Sequence, residues 1–343
     1  MYDIVFLIGG GIGNAIEALY AVEYCLNVGS MKIGLHVSGV PDSFREYLRK
    51  CYLDILIDRI DGIATKRLVQ AFTVSSAPSI RCEEYFYIMA DARSSRYQSE
   101  TELYLSVVRG LYPSGKSKTT LTRLVSSRTP LVEDLENKVV LCPGCSPDRS
   151  VKRWPHYEEL IDSLGDNQVV IIGSEEDLDF RRSYVYPPIV SKLFPQSILN
   201  RKRFWEALRR NHLLRSYGRH DLASRQISKF GKLSWPEIAQ LMKTSRVFVG
   251  NDNGLMHFAA ALGAKGIALF GPTSRHKNKP MNPEMIPYSK DLFCEPCQFV
   301  AGGIPMGDKY ITCPYSIKCL TDISAQEVIE LIRRHFGADS LEG

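Results

Sequence analysis

Arg246-Val247-Phe248-Val249-Gly250-Asn251-Asp252-Asn253-Gly254-Leu255-Met256-His257-Phe258-Ala259-Ala260-Ala261-Leu262-Gly263 is the stretch that decides the fold class. Residues 246–250 read as a short buried strand. A polar turn follows, and Phe258 to Leu262 is strongly helical, closed by Gly263. A strand that feeds a helix through such a turn is the repeating unit of an α/β protein with parallel sheets. Asp252 or Asn253 can cap the helix, and Gly254 leaves space at its N-terminus. The amides of Gly254, Leu255 and Met256 there would suit a pyrophosphate. Read as structure alone, Asp252 is a helix cap and His257 a hydrogen-bonding side chain within the fold.

The same alternation extends in both directions. Upstream of the quoted stretch lie Lys138 to Leu141 and Val169 to Gly173, and downstream lies Gly266 to Phe270. The N-terminal half has its own set: Ile4 to Ile8, Lys32 to Val37, Ile55 to Ile57 and Tyr85 to Met89, with a helical period over Ala15 to Leu26. Pro113 to Arg128 is rich in Ser, Thr and Lys, which places a boundary near 133–138. Two units are expected, 1–135 and 136–321, each with its own sheet. A final segment, 322–343, follows, with a helix over Ala325 to Phe336 capped by Ser324 and Glu327. The chain has 343 residues, and about 150 per domain also gives two.

Composition narrows the class further. Hydrophobic residues make up 44% and charged residues 24%, ordinary for a globular chain and unlike a disordered or collagenous one. No apolar run reaches the ~18 residues of a membrane span. Met1-Tyr2-Asp3-Ile4-Val5 opens without a basic n-region or cleavage site, so a cytoplasmic, reducing location is expected. Net charge is +5, too mild to indicate nucleic acid, and no nucleic-acid motif is present.

Gly9-Gly10-Gly11-Ile12-Gly13-Asn14 follows the first strand and opens a helix, a second place where backbone can approach an anion. It does not fit a dinucleotide fingerprint. The sixth position is Asn14 counted from Gly9 and Ile16 counted from Gly11, and the second strand ends in Ser38-Gly39 without an acid. No Gly-Lys-Ser/Thr follows, so a P-loop is absent as well. The plain alternative is a tight strand-to-helix turn without a ligand.

Taken with Ala268-Leu269-Phe270-Gly271-Pro272-Thr273, the stretch from Val249 to Gly263 resembles the signature of glycosyltransferase family 9. That family contains the ADP-heptose heptosyltransferases of lipopolysaccharide core synthesis and those that modify bacterial autotransporters. Three further pieces agree in order: Gly9 to Asn14; Pro143-Gly144-Cys145-Ser146 through Lys152-Arg153-Trp154-Pro155; and Gly231-Lys232-Leu233-Ser234 with Ile238 and Leu241. The resemblance implies a GT-B fold, two Rossmann-like domains facing across a cleft, with the acceptor on the N-terminal one and the donor on the C-terminal one. It implies inverting transfer without a catalytic metal. Ser146 and Lys152 would contact donor phosphates or sugar, Asp252 the sugar hydroxyls, and Asn253, Gly254, Leu255, Met256 and His257 the pyrophosphate. Gly10, Gly11 and Gly13 would line the site from the other side.

Two departures bear on function. The family's base is an Asp at the end of the glycine loop, and that position is Asn14 here, which cannot take a proton near neutral pH. Glu17, one turn along the helix, Asp91 or Glu100 could serve instead. Otherwise Asn14 only orients a hydroxyl that needs no base, or the protein is a non-catalytic sugar-nucleotide-binding or scaffold protein. An epimerase acting without an acceptor is a third class. The other departure is the basic segment between Gly173 and Gly231, longer than this stretch is in typical members of the family it resembles; Gln196 to Lys232 holds ten Lys or Arg against two Asp or Glu. It reads as a solvated basic helix or as a docking surface for an anionic glycan, glycolipid or protein acceptor, or as an oligomer contact.

Nine cysteines complete the inventory. Cys25, Cys51 and Cys82 are scattered, as buried structural thiols are. Cys294-x2-Cys297-x15-Cys313-x5-Cys319 lies in the Pro- and Gly-rich stretch 294–319. Four thiolates suit structural zinc or iron, with free thiols or disulfides as the alternatives. The cluster resembles the iron-binding finger of autotransporter heptosyltransferases, although its spacing differs. Cys142-Pro143-Gly144-Cys145 has the form of a redox pair, but no thioredoxin-like helix opening accompanies it.

Overall fold

A computed structural model describes residues 1–57, 61–71, 78–88, 98–125, 135–145, 151–174, 229, 231–297 and 317–341. The N-terminal sheet contains β1 (Tyr2–Ile8), β2 (Ile33–Val37), β3 (Leu56–Ile57), β4 (Ala64–Ala71) and β5 (Arg81–Ile88), all parallel, in the order β3-β2-β1-β4-β5. The C-terminal sheet contains β6 (Val139–Cys142), β7 (Val169–Ile171), β8 (Val247–Asn251), β9 (Gly266–Leu269) and β10 (Met285–Tyr288), again parallel, in the order β10-β9-β8-β6-β7.

The expected strands form, with two additions. β4 was not apparent because Lys66, Arg67 and Gln70 interrupt its apolar residues. Lys66 reaches Asp3 at 2.8 Å, and Arg67 meets Glu84 of the neighbouring strand at 2.9 Å. β10 carries Pro287, which an edge strand tolerates because no ladder donor is needed there. β5 begins at Arg81, earlier than the apolar run suggests, and most of its side chains are exposed, as an outer edge allows.

Helices α1 (Ile12–Leu26), α2 (Asp42–Cys51) and α3 (Glu100–Leu111) accompany the first sheet. Helices α4 (Tyr157–Leu164), α5 (Trp235–Thr244), α6 (Gly254–Ala261), the short α7 (Lys318–Thr321) and α8 (Ala325–Phe336) accompany the second. α1 starts three residues before the helical period is visible, with Gly11 as its cap. α8 matches its expected span. Ser324 Oγ accepts the Glu327 amide at 3.1 Å, but the Glu327 carboxylate turns outward to Tyr288 and to Lys290, 2.6 Å away, so the reciprocal half of the expected box is not made.

The strand period of two sorts the second sheet's side chains. Val139, Leu141, Val249 and Ile267 pack with Trp154, Leu160, Val328 and Ile332 on one face. Val140, Phe248 and Ala268 point the other way and join a single apolar cluster that also holds Phe6 and Ile8 of β1. The two sheets therefore share one core through α1, α2, α5 and α6. At its centre Phe44 meets Trp235 at 4.6 Å and Phe258 at 6.0 Å, and Tyr47 meets Phe258 at 5.9 Å, edge to face. Such pairs add about 0.5–1.5 kcal/mol each beyond burial. Two backbone bonds also cross between the halves, Leu121 N–H to Ala261 O at 2.7 Å and Glu100 N–H to Lys277 O at 2.9 Å.

Candidate active site

In an open parallel sheet, ligands bind beyond the strand C-termini where the strand order reverses. In the second sheet that point lies between β6 and β8. Asn251, fully buried, builds it. Its Nδ2 donates to Pro143 O at 2.9 Å, and its Oδ1 accepts the Trp154 amide at 3.0 Å. Asn251 thus ties the loop after β6 to the Lys-x-Trp-Pro turn. Trp154 is buried and donates from Nε1 to Ile323 O at 2.7 Å, which anchors the turn and aims Lys152 inward.

The cap of α6 is Asn253, not Asp252. Asn253 Oδ1 accepts the Met256 amide at 2.9 Å, and its Nδ2 donates to Gly144 O at 2.7 Å. The His257 amide donates to Asn253 O at 3.4 Å. The Met256 and His257 amides are therefore committed within the cap, contrary to the expectation that they face a pyrophosphate, and Gly254 and Leu255 remain as the first-turn amides outside it. Asp252 is released for the cleft. Its Oδ2 lies 3.0 Å from Lys152 Nζ and accepts from Asn278 Nδ2 at 2.8 Å. Burial alone would push this carboxyl up, but the Lys152 ammonium and His257 hold it at about 2.

The two glycine loops meet. A Cβ on Gly254 would fall 2.8 Å from Ile12 Cβ and 3.2 Å from Gly13 N, and one on Gly13 would fall 3.2 Å from His257 Cδ2. Glycine at these positions lets the N-termini of α1 and α6 approach. Gly10 has a φ of +95°, a left-handed turn that glycine adopts without strain.

On the α1 side, Asn14 is held from two directions. Its Oδ1 accepts the Gly11 amide at 3.2 Å, and its Nδ2 donates to Glu100 Oε1 at 2.6 Å. Glu100, the first residue of α3, has its other oxygen 3.4 Å from Lys277 Nζ. Glu17 is buried and hydrogen-bonded to Glu100; burial first, and the Glu100 charge second, push its carboxyl well above the usual range. His257 stands between the halves, with Nδ1 3.7 Å from Glu17 and Nε2 3.9 Å from Asp252. Burial, reinforced by Lys152, lowers it to about 4, so the ring is neutral at pH 7. A polar chain thus runs Lys152, Asp252, His257, Glu17, Glu100, Lys277. Lys277 and Asn278 follow the Phe270 to Thr273 signature and were not singled out in the sequence; their place beyond the C-terminal end of β9 was the available signal.

Ser146, Cys313 and Asp91, and nearly all of Gln196 to Lys232, lie outside the described residues. Cys294 and Cys297 are half-buried and Cys319 is buried on α7, beneath Gly271. Cys297 Sγ is 3.5 Å from Cys294 O. Among the described residues, no three His, Cys, Asp or Glu side chains form a metal-holding group. Cys142 and Cys145 are buried, and Asn253 Nδ2 lies 3.4 Å from Cys142 Sγ. Among the described residues, no helix is long and apolar enough to cross a membrane.

Residues 220–301 match the family model "Glycosyltransferase family 9 (heptosyltransferase)". Lipopolysaccharide heptosyltransferase 2 of Escherichia coli K12 is 31% identical over 145 residues, 41% of this chain and 33% of that protein. Lipooligosaccharide heptosyltransferase 2 of Campylobacter jejuni is 34% identical over 86 residues, 24% of each chain. The matched segments therefore span a quarter to a third of these curated relatives. Solved structures extend the likeness to the whole fold. E. coli ADP-heptose lps heptosyltransferase II superposes with a TM-score of 0.54 at 16% identity, over 97% of this chain and 98% of that one. The dodecameric iron-containing heptosyltransferase TibC, in complex with ADP-D-beta-D-heptose, gives 0.60 at 13% identity, over 99% of this chain and 77% of that one. TibC comes from enterotoxigenic E. coli H10407. By sequence across the segment around β8 and α6, and by fold along its length, the chain resembles glycosyltransferase family 9, and its two facing sheets form a GT-B fold.

Proposed function

We propose that the chain is an inverting glycosyltransferase that moves heptose from ADP-heptose to a hydroxyl of a glycan, lipid-linked glycan or protein. The observation that carries this reading is the buried Lys152–Asp252 pair, 3.0 Å apart, beside the N-terminus of α6. A nucleoside diphosphate leaving group develops negative charge. Lys152 and the free first-turn amides, Gly254 and Leu255, are placed to receive it, with no catalytic metal assigned. Asp252, fixed by Asn278, takes the donor sugar hydroxyls. Ser146, Asn253, Met256 and His257 belong to the same donor site, the last three by supporting the cap and the Asp252 environment, and Gly10, Gly11 and Gly13 shape its opposite wall. Residues 1–135 would carry the acceptor, 136–321 the donor, and 322–343 the closing helix.

Asn14 alone favours a binding or scaffold protein. The carboxylates of Glu100 and Glu17 beside it weaken that alternative, because base chemistry is at hand. An anionic acceptor steered by the basic stretch 196–232 would bind more weakly in high salt. Four thiols are a donor set suited to zinc or iron, so Cys294, Cys297, Cys313 and Cys319 are proposed to hold one structural ion in a cytoplasmic protein able to self-associate. Elemental analysis of purified protein, beside a Cys294→Ser variant, tests this.

The experiment for the main reading is release of ADP from ADP-heptose by the purified chain. Turnover that Lys152→Ala and Asp252→Ala abolish, with the fold checked by circular dichroism, is expected. Turnover untouched by both would refute the site.

A further inference from the structure

The glycine loop ends in a side chain that cannot take a proton, yet that side chain is not idle. Asn14 Nδ2 grips Glu100 Oε1 at 2.6 Å, across 86 positions of sequence. A hydroxyl within hydrogen-bonding reach of the side chain at position 14 is thereby within reach of a carboxylate. We propose that Glu100 is the general base of the transfer, with Asn14 and Lys277 as its positioning residues. This rests on the transferase reading above.

Three observations support it. Both Glu100 oxygens are held: Asn14 Nδ2 donates to one at 2.6 Å, and the Lys277 ammonium lies 3.4 Å from the other. Glu17, its buried neighbour, is hydrogen-bonded to Glu100, and burial first and the Glu100 charge second push the Glu17 carboxyl well above the usual range. And Lys277 belongs to the donor half: it holds Glu100 by its side chain and accepts the Glu100 amide through its carbonyl at 2.9 Å. The contacts with Lys277 are therefore made only when the two halves are together, whereas that with Asn14 lies within one half. In the step itself the acceptor oxygen forms a bond to the sugar's anomeric carbon. The bond from that carbon to the phosphate oxygen breaks, the electron pair leaves with the nucleoside diphosphate, and the hydroxyl proton passes to Glu100.

The charged and titratable groups around Glu100 are Glu17 on α1, Tyr104 on its own helix and Lys277 beyond β9, with His257, Asp252 and Lys152 following beyond Glu17. The test uses the whole chain with ADP-heptose as the probe, water standing in for the acceptor hydroxyl. ADP release is followed across pH, and ADP affinity is measured separately by calorimetry. Glu100→Gln is expected to lower turnover about 10²–10⁴-fold and to remove the acid limb, with ADP affinity within about twofold of wild type. Adding Asn14→Asp to that variant returns a carboxylate to the adjoining position and should restore part of the turnover. Lys277→Met removes the contact that steadies Glu100 and should lower turnover with ADP affinity little changed, whereas Lys277→Arg should keep most of the turnover. ADP binding with an unchanged rate and acid limb in Glu100→Gln would overturn the base assignment, as would a wild-type chain that binds ADP but releases none. A wild-type chain that does not bind ADP would instead defeat the donor reading beneath it.

Discussion

The loops before α1 and α6 do the same structural job with different chemistry. The α6 loop carries its own acid: Asn253 caps the helix and Asp252 faces the cleft, with Lys152 of the neighbouring turn as its counter-charge. The α1 loop has a glycine cap and no acid, and its charge comes from Glu100 on another helix. The α6 loop carries the acid of its charged pair, whereas the α1 loop has its carboxylate delivered by α3 of the same half and steadied by Lys277 of the other. The α6 side should therefore respond most to loss of its counter-charge, and the α1 side to changes in how α1 and α6 meet.

The largest effect is expected at Lys152. Lys152→Ala leaves Asp252 buried without its cation, which should cost about 3–5 kcal/mol in denaturant unfolding. Gln at Asp252 in the same variant should recover part of that loss. A Lys152→Ala chain as stable as wild type would mean that Asp252 does not need Lys152 as its counter-charge. Next comes the meeting point. Gly254→Ala places its Cβ 2.8 Å from Ile12 Cβ, closer than Gly13→Ala comes to any atom, 3.2 Å from His257 Cδ2. Gly254→Ala should cost about 1–3 kcal/mol and Gly13→Ala less, as read by melting temperature. The reverse order would break the picture of two abutting loops.

The smallest and most discriminating effect is the sign of the pH response. Asp252 and His257 have lowered values, so the native state refuses protons that the unfolded chain accepts. Their stability contribution is present above about 6.5 for His257 and is lost as pH falls toward about 4; for Asp252 it is lost between 3.8 and about 2. Glu17 is raised. Its contribution is present below 4.5 and declines as pH rises toward its elevated native value. Melting temperature against pH should flatten on the acid side in His257→Gln and on the upper side in Glu17→Gln. A common response in both variants would merge the two loops into one titrating unit.

Legibility in the sequence follows the same division. Strand-turn-helix units and the α8 span could be read from stretches of a few residues; Lys152 and Asp252 were each marked by the family resemblance, but their pairing is visible only in the fold. β4 was hidden by Lys66 and Arg67, whose partners Asp3 and Glu84 lie on neighbouring strands. Glu100 was one of three carboxylates that could follow Asn14, and only packing distinguishes it. Asn251 carried no visible signal, because its value lies in joining two loops that are distant in sequence. The choice of cap between Asp252 and Asn253 turned on which side chain Lys152 would meet.

The most direct measurement is calorimetric titration of the chain with ADP, UDP, GDP and CDP, wild type beside Lys152→Ala. The account predicts that ADP binds, that the other three bind more weakly, and that Lys152→Ala weakens ADP binding strongly while the protein stays folded. Absence of binding by any of the four, or ADP binding that Lys152→Ala leaves unchanged, would contradict it.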